Sequence, residues 1–462
     1  MKSRIEIDPL GEKNIPIDAY YGIQTLRAVG NFPVSGIKPP EVFIKAYVMI
    51  KKAAAITNAK VGNLDNKLSK TIIQACDEIL SGNLLDQFVV DVFQAGAGTS
   101  FNMNVNEVLA NRSLEILHKS KGDYKTINPN DHVNMGQSTN DTYPTALHVS
   151  ILIALQPLIQ EIENLSLSFD DLATKNHDVL KSGRTHLQDA VPITIGQEFS
   201  AYSSVLRNSA DQLEKRQINL YEVALGGTAV GTGTNTHPQY KKKVIEKLAD
   251  LSGFPLKPAQ NTFEALQSCG RVQTISSGLK ELALELVRIS NDLRLLSSGP
   301  TTGLNEILLP AVQPGSSIMP GKVNPVMAEC MNMIGFQVIG NDLTISFAVQ
   351  AGQLDLNVMG PVIMNNILFS IQILTNYLPA FRKKCIQGIK VNTIRCTNYL
   401  DKNPSLATYL APHIGYLKAS KIAKQALKEG RSVKDIAIEK KILPIEEINQ
   451  ILDPKSFLKK IK

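Results

Sequence analysis

Four short segments rich in small polar side chains interrupt the apolar pattern of this 462-residue chain. They are residues 96–100, 136–141, 183–189 and 315–325. Each brings hydroxyl or amide groups beside glycines or at a predicted helix start; one also carries a histidine and another a lysine. Hydroxyls, amides and helix N-termini bind carboxylates without a metal. Together the segments predict a site for a small dianionic substrate.

A structural use of the same residue types stays open for each segment taken alone. Ser, Thr, Asn and Asp at a helix start accept hydrogen bonds from backbone N–H groups that would otherwise lack a partner. Capping accounts for one such segment as readily as ligand binding does. Four of them in one chain, one with a lysine and one with a histidine, favour ligand binding.

Two glycine-rich stretches look like nucleotide-binding loops but depart from those motifs. Between Gly315 and Gly321 there are five residues, whereas a phosphate-binding loop has four, and Val323 stands where Ser or Thr would bind magnesium. Residues 226–233 lack the GxGxxG spacing, and no clear strand precedes them. ATP and NAD are therefore disfavoured, and we predict no cofactor.

Long helices must position these segments, because apolar residues recur at helical spacing through the middle of the chain. One stripe is Leu155, Leu158, Ile162, Leu165, Phe169 and Leu172. A second is Val272, Ile275, Leu279, Leu282, Leu286, Ile289, Leu293 and Leu296. Alternating strand and helix units are not evident, so the predicted fold is mainly α. Prolines and glycines crowd the first 40 residues, which predicts an extended, turn-rich start without regular elements.

Charge and cysteine content narrow the class of protein further. The net charge is +7, but residues 418–462 hold 12 Lys and Arg against 6 Asp and Glu, so most of the excess lies in the C-terminal tail. A solvated helical surface explains this better than a nucleic-acid groove. The five cysteines are widely spaced and show no metal-ligand pattern, so we predict no metal site. We expect neither a signal peptide nor a membrane span, and predict a cytoplasmic protein.

The eleven residues 315–325, GSSIMPGKVNP, resemble the signature of the fumarase/aspartase superfamily. The other three polar segments follow in the order typical of that superfamily, and the resemblance extends from Gly11 to about Pro454. It implies a three-part, mainly α fold with a long central helical bundle, divided here as 1–135, 136–390 and 391–462. It also implies a homotetramer built around that bundle, in which each active site collects segments from three subunits. Additional apolar residues on a second flank of the helix around 272–296 fit a bundle shared between subunits.

Within the superfamily the chain is more similar to the aspartate ammonia-lyases than to the class II fumarases. The N-terminal segment 11–36, residues 137–140, 322–326 and 356–359 resemble the ammonia-lyases. Residues 224–231 and 413–416 resemble the fumarases instead. Gly360 and Ala411 depart from the ammonia-lyase pattern, which commonly has Glu and Asn at these places. We therefore expect reversible elimination of ammonia from L-aspartate to give fumarate, with hydration of fumarate to L-malate as the alternative.

The resemblance also implies a role for each polar side chain. Ser316 is the expected base, acting as an alkoxide stabilised by loop N–H groups, and its alternative reading is an ordinary turn serine. His186 is expected either to transfer a proton or to donate a hydrogen bond to the substrate, with Glu329 orienting it. The substrate β-carboxylate is assigned to Thr99, Ser138, Thr139 and Ser317. The α-carboxylate is assigned to Lys322, Thr185 and Asn324, and the amino group to Asn140 and His186.

The expected chemistry is difficult because a carbon next to a carboxylate is barely acidic. Removing its proton requires a base and strong stabilisation of the enediolate-like intermediate, in which the carboxylate carries the extra charge. Glycines flank the segment 315–325, which predicts a loop that closes over the substrate and excludes water.

Overall fold

A computed structural model describes residues 2–459 of the chain and is mainly helical, as predicted. The α-helices are α1 (Ile23–Asn31), α2 (Glu41–Lys60), α3 (Asn66–Leu80), α4 (Thr99–Ile116), α5 (Thr139–Lys175), α6 (Ile195–Gln217), α7 (Tyr240–Ser252), α8 (Thr262–Gln267), α9 (Gly270–Leu296), α10 (Val326–Gln350), α11 (Gly360–Lys384), α12 (Thr393–Asp401), α13 (Ala411–Ile414), α14 (Tyr416–Glu429), α15 (Val433–Glu439), α16 (Ile445–Ile451) and α17 (Pro454–Lys459). Short 3-10 turns cover Leu85–Gln87, Ile218–Tyr221, Ile386–Gly388 and Pro404–Tyr409, and a π-turn covers Pro129–Val133.

The strands that the structure describes are short and pair two by two. They are β1 (Ser3–Asp8), β2 (Gly11–Pro16), β3 (Leu180–Thr185), β4 (Gln188–Thr194), β5 (Glu222–Val223), β6 (Lys257–Pro258), β7 (Ile307–Leu308) and β8 (Lys390–Val391). The pairs β1–β2, β3–β4 and β7–β8 are antiparallel, and β5–β6 is parallel. The sheets are thus local attachments to a helical protein.

Both predicted apolar stripes lie on long helices and are buried. The residues from Leu155 to Leu172 face the interior from α5, and those from Val272 to Leu296 do so from α9. Helix α5 begins at Thr139, well before its stripe, and continues through Pro144 and Pro157. On the second flank of α9, Leu284 and Leu295 are exposed in the single chain.

The N-terminal segment corrects the prediction that it lacks regular elements. Strands β1 and β2 form a hairpin in full register from Ser3 opposite Pro16 to Asp8 opposite Gly11. Its prolines lie where they do not interrupt the strand pairing: Pro9 is in the turn, and Pro16 ends the second strand. The ladder between these positions keeps its N–H donors, and proline disrupts a sheet only where such a donor is needed.

The chain divides into two compact units. The first consists of Met1–Ile159, Asp211–Ala283 and Phe336–Thr375, and the second of Gln160–Ala210, Leu284–Gly335 and Asn376–Lys462. In the first unit the rings of Phe43, Tyr47, Phe101 and Tyr143 form a core cluster with centroids 5.0–6.1 Å apart. In the second, residues from α12 to α17 form a core of their own, including Leu410 and Ile436. The three-part division at residues 135 and 390 stays a prediction.

One helix in the described chain is long and apolar enough to cross a membrane. This helix is α5, whose most apolar window has a mean hydropathy of 1.3. Because 67% of that window is buried inside the protein, it fits the core helix of a folded domain.

Candidate active site

The segment 136–141 leads into α5 and is held by one buried carboxylate. Asp141 is fully buried, and its two oxygens accept hydrogen bonds from the backbone N–H groups of Ser138, Gly226 and Thr228, each at 2.9 Å. Burial raises the pKa of Asp141 to about 6, although these N–H groups favour its charged form. The side chain of Asn140 adds a bond of 2.8 Å to the carbonyl oxygen of Ala229. The glycine-rich stretch 226–233 therefore serves as an anchor for the polar segment.

A buried lysine orients Thr139 through an asparagine. The Nζ atom of Lys51 donates to Oδ1 of Asn102 at 2.7 Å and to Oδ1 of Asn134 at 3.0 Å. The amide of Asn102 in turn donates to Oγ1 of Thr139 at 3.0 Å. Lys51 is completely buried, and burial lowers its pKa to about 7. Sequence reasoning missed this group; its only signal was a lysine inside the apolar helix α2.

Thr99 begins helix α4 directly after a tightly packed glycine. A Cβ atom on Gly98 would lie 2.1 Å from Cδ2 of Tyr143, and Gly98 has a φ of +94°. Only glycine therefore fits between Thr99 and the ring of Tyr143, which lies one helical turn after Thr139. Gly360 packs on the same ring, with its ideal Cβ position 3.1 Å away. This packing fixes Thr99 relative to Thr139.

Thr185 and His186 lie at the tip of the β3–β4 hairpin in the second unit. Both side chains are exposed, and the turn consists of His186 and Leu187 with φ values of +55° and +58°. Behind the tip, Arg184 forms a two-bond ion pair with the fully buried Glu306, at 2.8 and 3.0 Å. The tip is thus exposed while its base is held by buried charges.

The signature segment 315–325 forms an exposed loop closed at its neck. The Oγ atom of Ser316 accepts hydrogen bonds from the N–H groups of Met319 at 3.0 Å and Ile318 at 3.3 Å. The amide of Asn324 donates to the carbonyl oxygen of Gly315 at 3.0 Å, which joins the two ends of the loop. Ser317 and Lys322 are exposed. Beside the loop lies a cleft of about 910 Å³, whose lining includes Lys322, Asn324 and Glu329.

The structure distributes the predicted residues over the two units. Thr99, Ser138, Thr139 and Asn140 belong to the first; Thr185, His186, Ser316, Ser317, Lys322 and Asn324 belong to the second.

Part of the capping interpretation also applies, since Oγ of Ser138 accepts a hydrogen bond from the N–H of Asn140 at 3.2 Å. Within residues 2–459 no group of three or more His, Cys, Asp or Glu side chains is placed to hold a metal ion. The orienting role predicted for Glu329 stays a prediction.

Two family models match the chain. The model described as Lyase matches residues 11–340, and the model described as Fumarase C C-terminus matches residues 406–459. The first alone covers well over half of the chain and includes all four polar segments.

Curated relatives match over nearly the full length. The aspartate ammonia-lyase of Bacillus subtilis (strain 168) is 50% identical over 456 residues, which cover 99% of this chain and 96% of that protein. The aspartate ammonia-lyase of Escherichia coli (strain K12) is 46% identical over 458 residues, covering 98% and 96%. That of Helicobacter pylori (strain J99) is 47% identical and covers 98% of both chains.

Solved structures also match over nearly the full length. A fumarate lyase:delta crystallin from Brucella melitensis bound to cobalt has a TM-score of 0.96 at 48% identity and covers 99% of this chain and 100% of that one. A class II fumarase from Schistosoma mansoni has a TM-score of 0.95 at 39% identity and covers 98% of both. The chain belongs to the fumarase/aspartase superfamily and is a lyase that acts on a small molecule. The three relatives at 46–50% identity reported above are aspartate ammonia-lyases.

Proposed function

We propose that this protein catalyses the reversible deamination of L-aspartate to fumarate and ammonia, with Ser316 as the base. The observation that carries the assignment of the base is the pair of loop N–H groups that donate to its Oγ atom. Two N–H donors stabilise negative charge on that oxygen and so favour its alkoxide form. The assignment of L-aspartate as the substrate rests on the near full-length similarity to three aspartate ammonia-lyases.

The proton and electrons balance in two steps. The Oγ alkoxide of Ser316 takes a proton from Cβ of aspartate, and the electron pair of that C–H bond moves into the β-carboxylate as an enediolate. The pair then returns to form the carbon–carbon double bond. The C–N bond of the substrate's protonated amino group breaks at the same time, and its electron pair leaves on nitrogen as neutral ammonia. Stabilising the enediolate is the costly part, because each lost donor of this kind lowers the rate about a hundredfold to a thousandfold.

Hydroxyl groups that already accept a hydrogen bond are suited to donate to the β-carboxylate. Oγ1 of Thr139 accepts from Asn102, and Oγ of Ser138 accepts from the N–H of Asn140, so each keeps its own proton for the substrate. Thr99 donates to the carbonyl oxygen of Gly96 at 2.6 Å and must rotate to bind. Ser317 completes this group.

The α-carboxylate is assigned to residues of the second unit. Lys322 is exposed and supplies the neutralising charge. Thr185 and Asn324 add hydrogen bonds, and one amide proton of Asn324 stays available beyond its bond to Gly315. His186 and Asn140 are assigned to the amino group.

We infer that the protein assembles as a homotetramer in the cytoplasm. Helix α10 exposes four large apolar side chains at helical spacing, each between 58 and 66% exposed: Met333, Phe336, Leu343 and Phe347. Packing against further copies would cover these apolar side chains. The five cysteines are free thiols, which fits a reducing compartment.

Hydration of fumarate is the second candidate function. It is favoured by the 39% identity to the class II fumarase from Schistosoma mansoni and by the fumarase-like residues 224–231 and 413–416. The same base and carboxylate donors serve both reactions, so only the group that leaves distinguishes them. Departure of hydroxide needs an acid, whereas ammonia leaves without one.

The experiment offers L-aspartate and L-malate in parallel to the purified protein and follows fumarate by its ultraviolet absorbance. Fumarate from aspartate alone supports the ammonia-lyase, and fumarate from malate alone overturns it in favour of the hydratase. A His186→Gln variant tests the histidine: unchanged turnover and affinity would rule out both roles proposed for it.

A further inference from the structure

The turn that carries His186 holds two ordinary residues in a conformation that favours glycine. His186 and Leu187 have φ values of +55° and +58° and connect Thr185 directly to Gln188. Two-residue hairpin turns of this shape normally use Asn and Gly. Leu187 is 70% exposed, so burial does not offset the strain. Contacts behind the turn must hold it.

The strand before the turn is held by buried charges. The guanidinium of Arg184, two residues before His186, binds both carboxylate oxygens of Glu306, at 2.8 and 3.0 Å. Lys181 contacts the same carboxylate at 2.8 Å and also binds Glu198 at 2.8 Å. Two cations thus balance two carboxylates, and Lys181 and Glu306 are almost completely buried. A planar two-bond pair fixes orientation as well as distance.

The strand after the turn is held at a bulge. Between the pairs Ser182–Pro192 and Arg184–Asp189 the register shifts, so two residues of β4 lie opposite one of β3. A bulge of this kind removes a carbonyl from the regular ladder. The buried side chain of Asn403 donates to the carbonyl oxygen of Ala190 in this bulge, at 2.7 Å, and to Oγ of Ser182 at 3.0 Å. One amide therefore fastens both strands.

We propose that Arg184, Glu306 and Asn403 are positioning residues that hold Thr185 and His186 in the strained turn where they meet the substrate. The proposal rests on the substrate roles given to these two residues above. It goes beyond those roles, because the geometry of the hairpin tip then depends on the ion pair between Arg184 and the buried Glu306. It also depends on Asn403, which lies more than 200 positions away in the sequence.

The first test replaces Arg184 by Lys, which keeps the charge and loses the two-bond geometry. We expect kcat/KM to fall about tenfold to a hundredfold, the loss typical of reacting groups displaced by about 1 Å. The matched control is Arg382→Lys, since Arg382 also pairs with a glutamate, Glu161, and its side chain is 16% exposed against 15% for Arg184. The control should keep the wild-type kinetic constants.

The decisive test is rescue by Leu187→Gly. Glycine adopts positive φ without steric cost, so the turn then needs less support from behind. The double variant Arg184→Lys, Leu187→Gly should recover activity to within about threefold of Leu187→Gly alone. A role of Arg184 in global stability alone would give no such recovery. A double variant no more active than Arg184→Lys overturns the proposal.

Amide hydrogen exchange of residues 185–190 supplies a measurement that needs no substrate. Arg184→Lys and Asn403→Ala should each exchange faster there, with exchange unchanged in helices α14–α17. Wild-type exchange at the tip in both variants would also overturn the proposal, and either variant suffices if the other fails to fold. If the wild type turns over malate and not aspartate, the proposed function fails while the same kinetic comparison, made with malate, still tests the positioning.

Discussion

The segment 136–141 and the loop 315–325 carry groups for the same reaction but are held in opposite ways. Residues outside the first segment hold it in place. Its Asp141 accepts hydrogen bonds from two backbone N–H groups of the glycine-rich stretch 226–233, and Lys51 holds Thr139 through Asn102. The hydrogen bonds of Ser316 and Asn324 close within the second, which is largely exposed.

This difference matches the tasks proposed for the two segments. Donors that stabilise a developing charge work best when they are fixed in advance, because they then need no reorganisation during the reaction. A base that must meet the substrate and then be covered from water benefits from a segment free to move. The comparison predicts that changes to the residues that hold segment 136–141 and the nearby Thr99 in place lower stability. Changes in the loop should lower turnover and leave stability nearly unchanged.

The largest effect is expected in the loop. Ser316→Ala should lower turnover about a thousandfold or more, since it removes the base, as removal of a nucleophile or base does in other enzymes. The melting temperature should stay near that of the wild type, because the lost bonds lie within an exposed loop. Fumarate formation and thermal unfolding measure the two quantities. Near-normal turnover would eliminate Ser316 as the base.

Gly98→Ala should have the largest effect on stability. The new Cβ atom would lie 2.1 Å from the ring of Tyr143, and the φ of +94° adds backbone strain. Overpacking and strain together should cost about 3 kcal/mol or more in the free energy of unfolding. Urea unfolding measures this loss, and an unchanged midpoint would contradict the tight packing between Thr99 and Tyr143.

The buried Lys51 should make stability depend on pH. Its pKa is about 7 in the folded protein and 10.5 in the unfolded chain, so between these values the folded state binds fewer protons. The free energy of unfolding therefore gains a contribution that rises with pH over this window, by up to about 1.4 kcal/mol per pH unit. Lys51→Met should remove that rise. Urea midpoints from pH 7.5 to 9 test it, and parallel curves for both proteins would refute the burial of a titrating amine.

Gly321→Ala should have the smallest effect and is the matched partner of Gly98→Ala. Gly321 also has positive φ, +81°, but no atom lies within 4 Å of its ideal Cβ position. Alanine therefore meets no clash there, and the free energy of unfolding should fall only by the cost of holding a non-glycine residue at positive φ, about 1 kcal/mol. A loss equal to that of Gly98→Ala would mean that the loop is packed as tightly as the glycine beside Thr99.

Much of the architecture was predictable because helices are encoded locally. Apolar residues three and four positions apart mark a buried face, and both stripes proved to be buried. The four polar segments were recognisable from composition alone, and the eleven residues 315–325 indicated the superfamily. The N-terminal hairpin was missed because the prediction counted the prolines in the segment. Whether strands form depends on where the prolines lie relative to the hydrogen-bonded ladder.

The anchors of the site were not predictable. Asp141 meets its glycine-rich partners 85 and 87 positions away, Lys51 meets Asn102 51 positions away, and Asn403 meets Ser182 and Ala190 more than 200 positions away. Each of these residues reads locally as an ordinary polar residue. Local sequence determines which segments form helices and which carry hydroxyls and amides. Tertiary packing decides which buried side chain holds each of these segments. The reason is that a polar group without a hydrogen-bond partner costs free energy only where packing buries it.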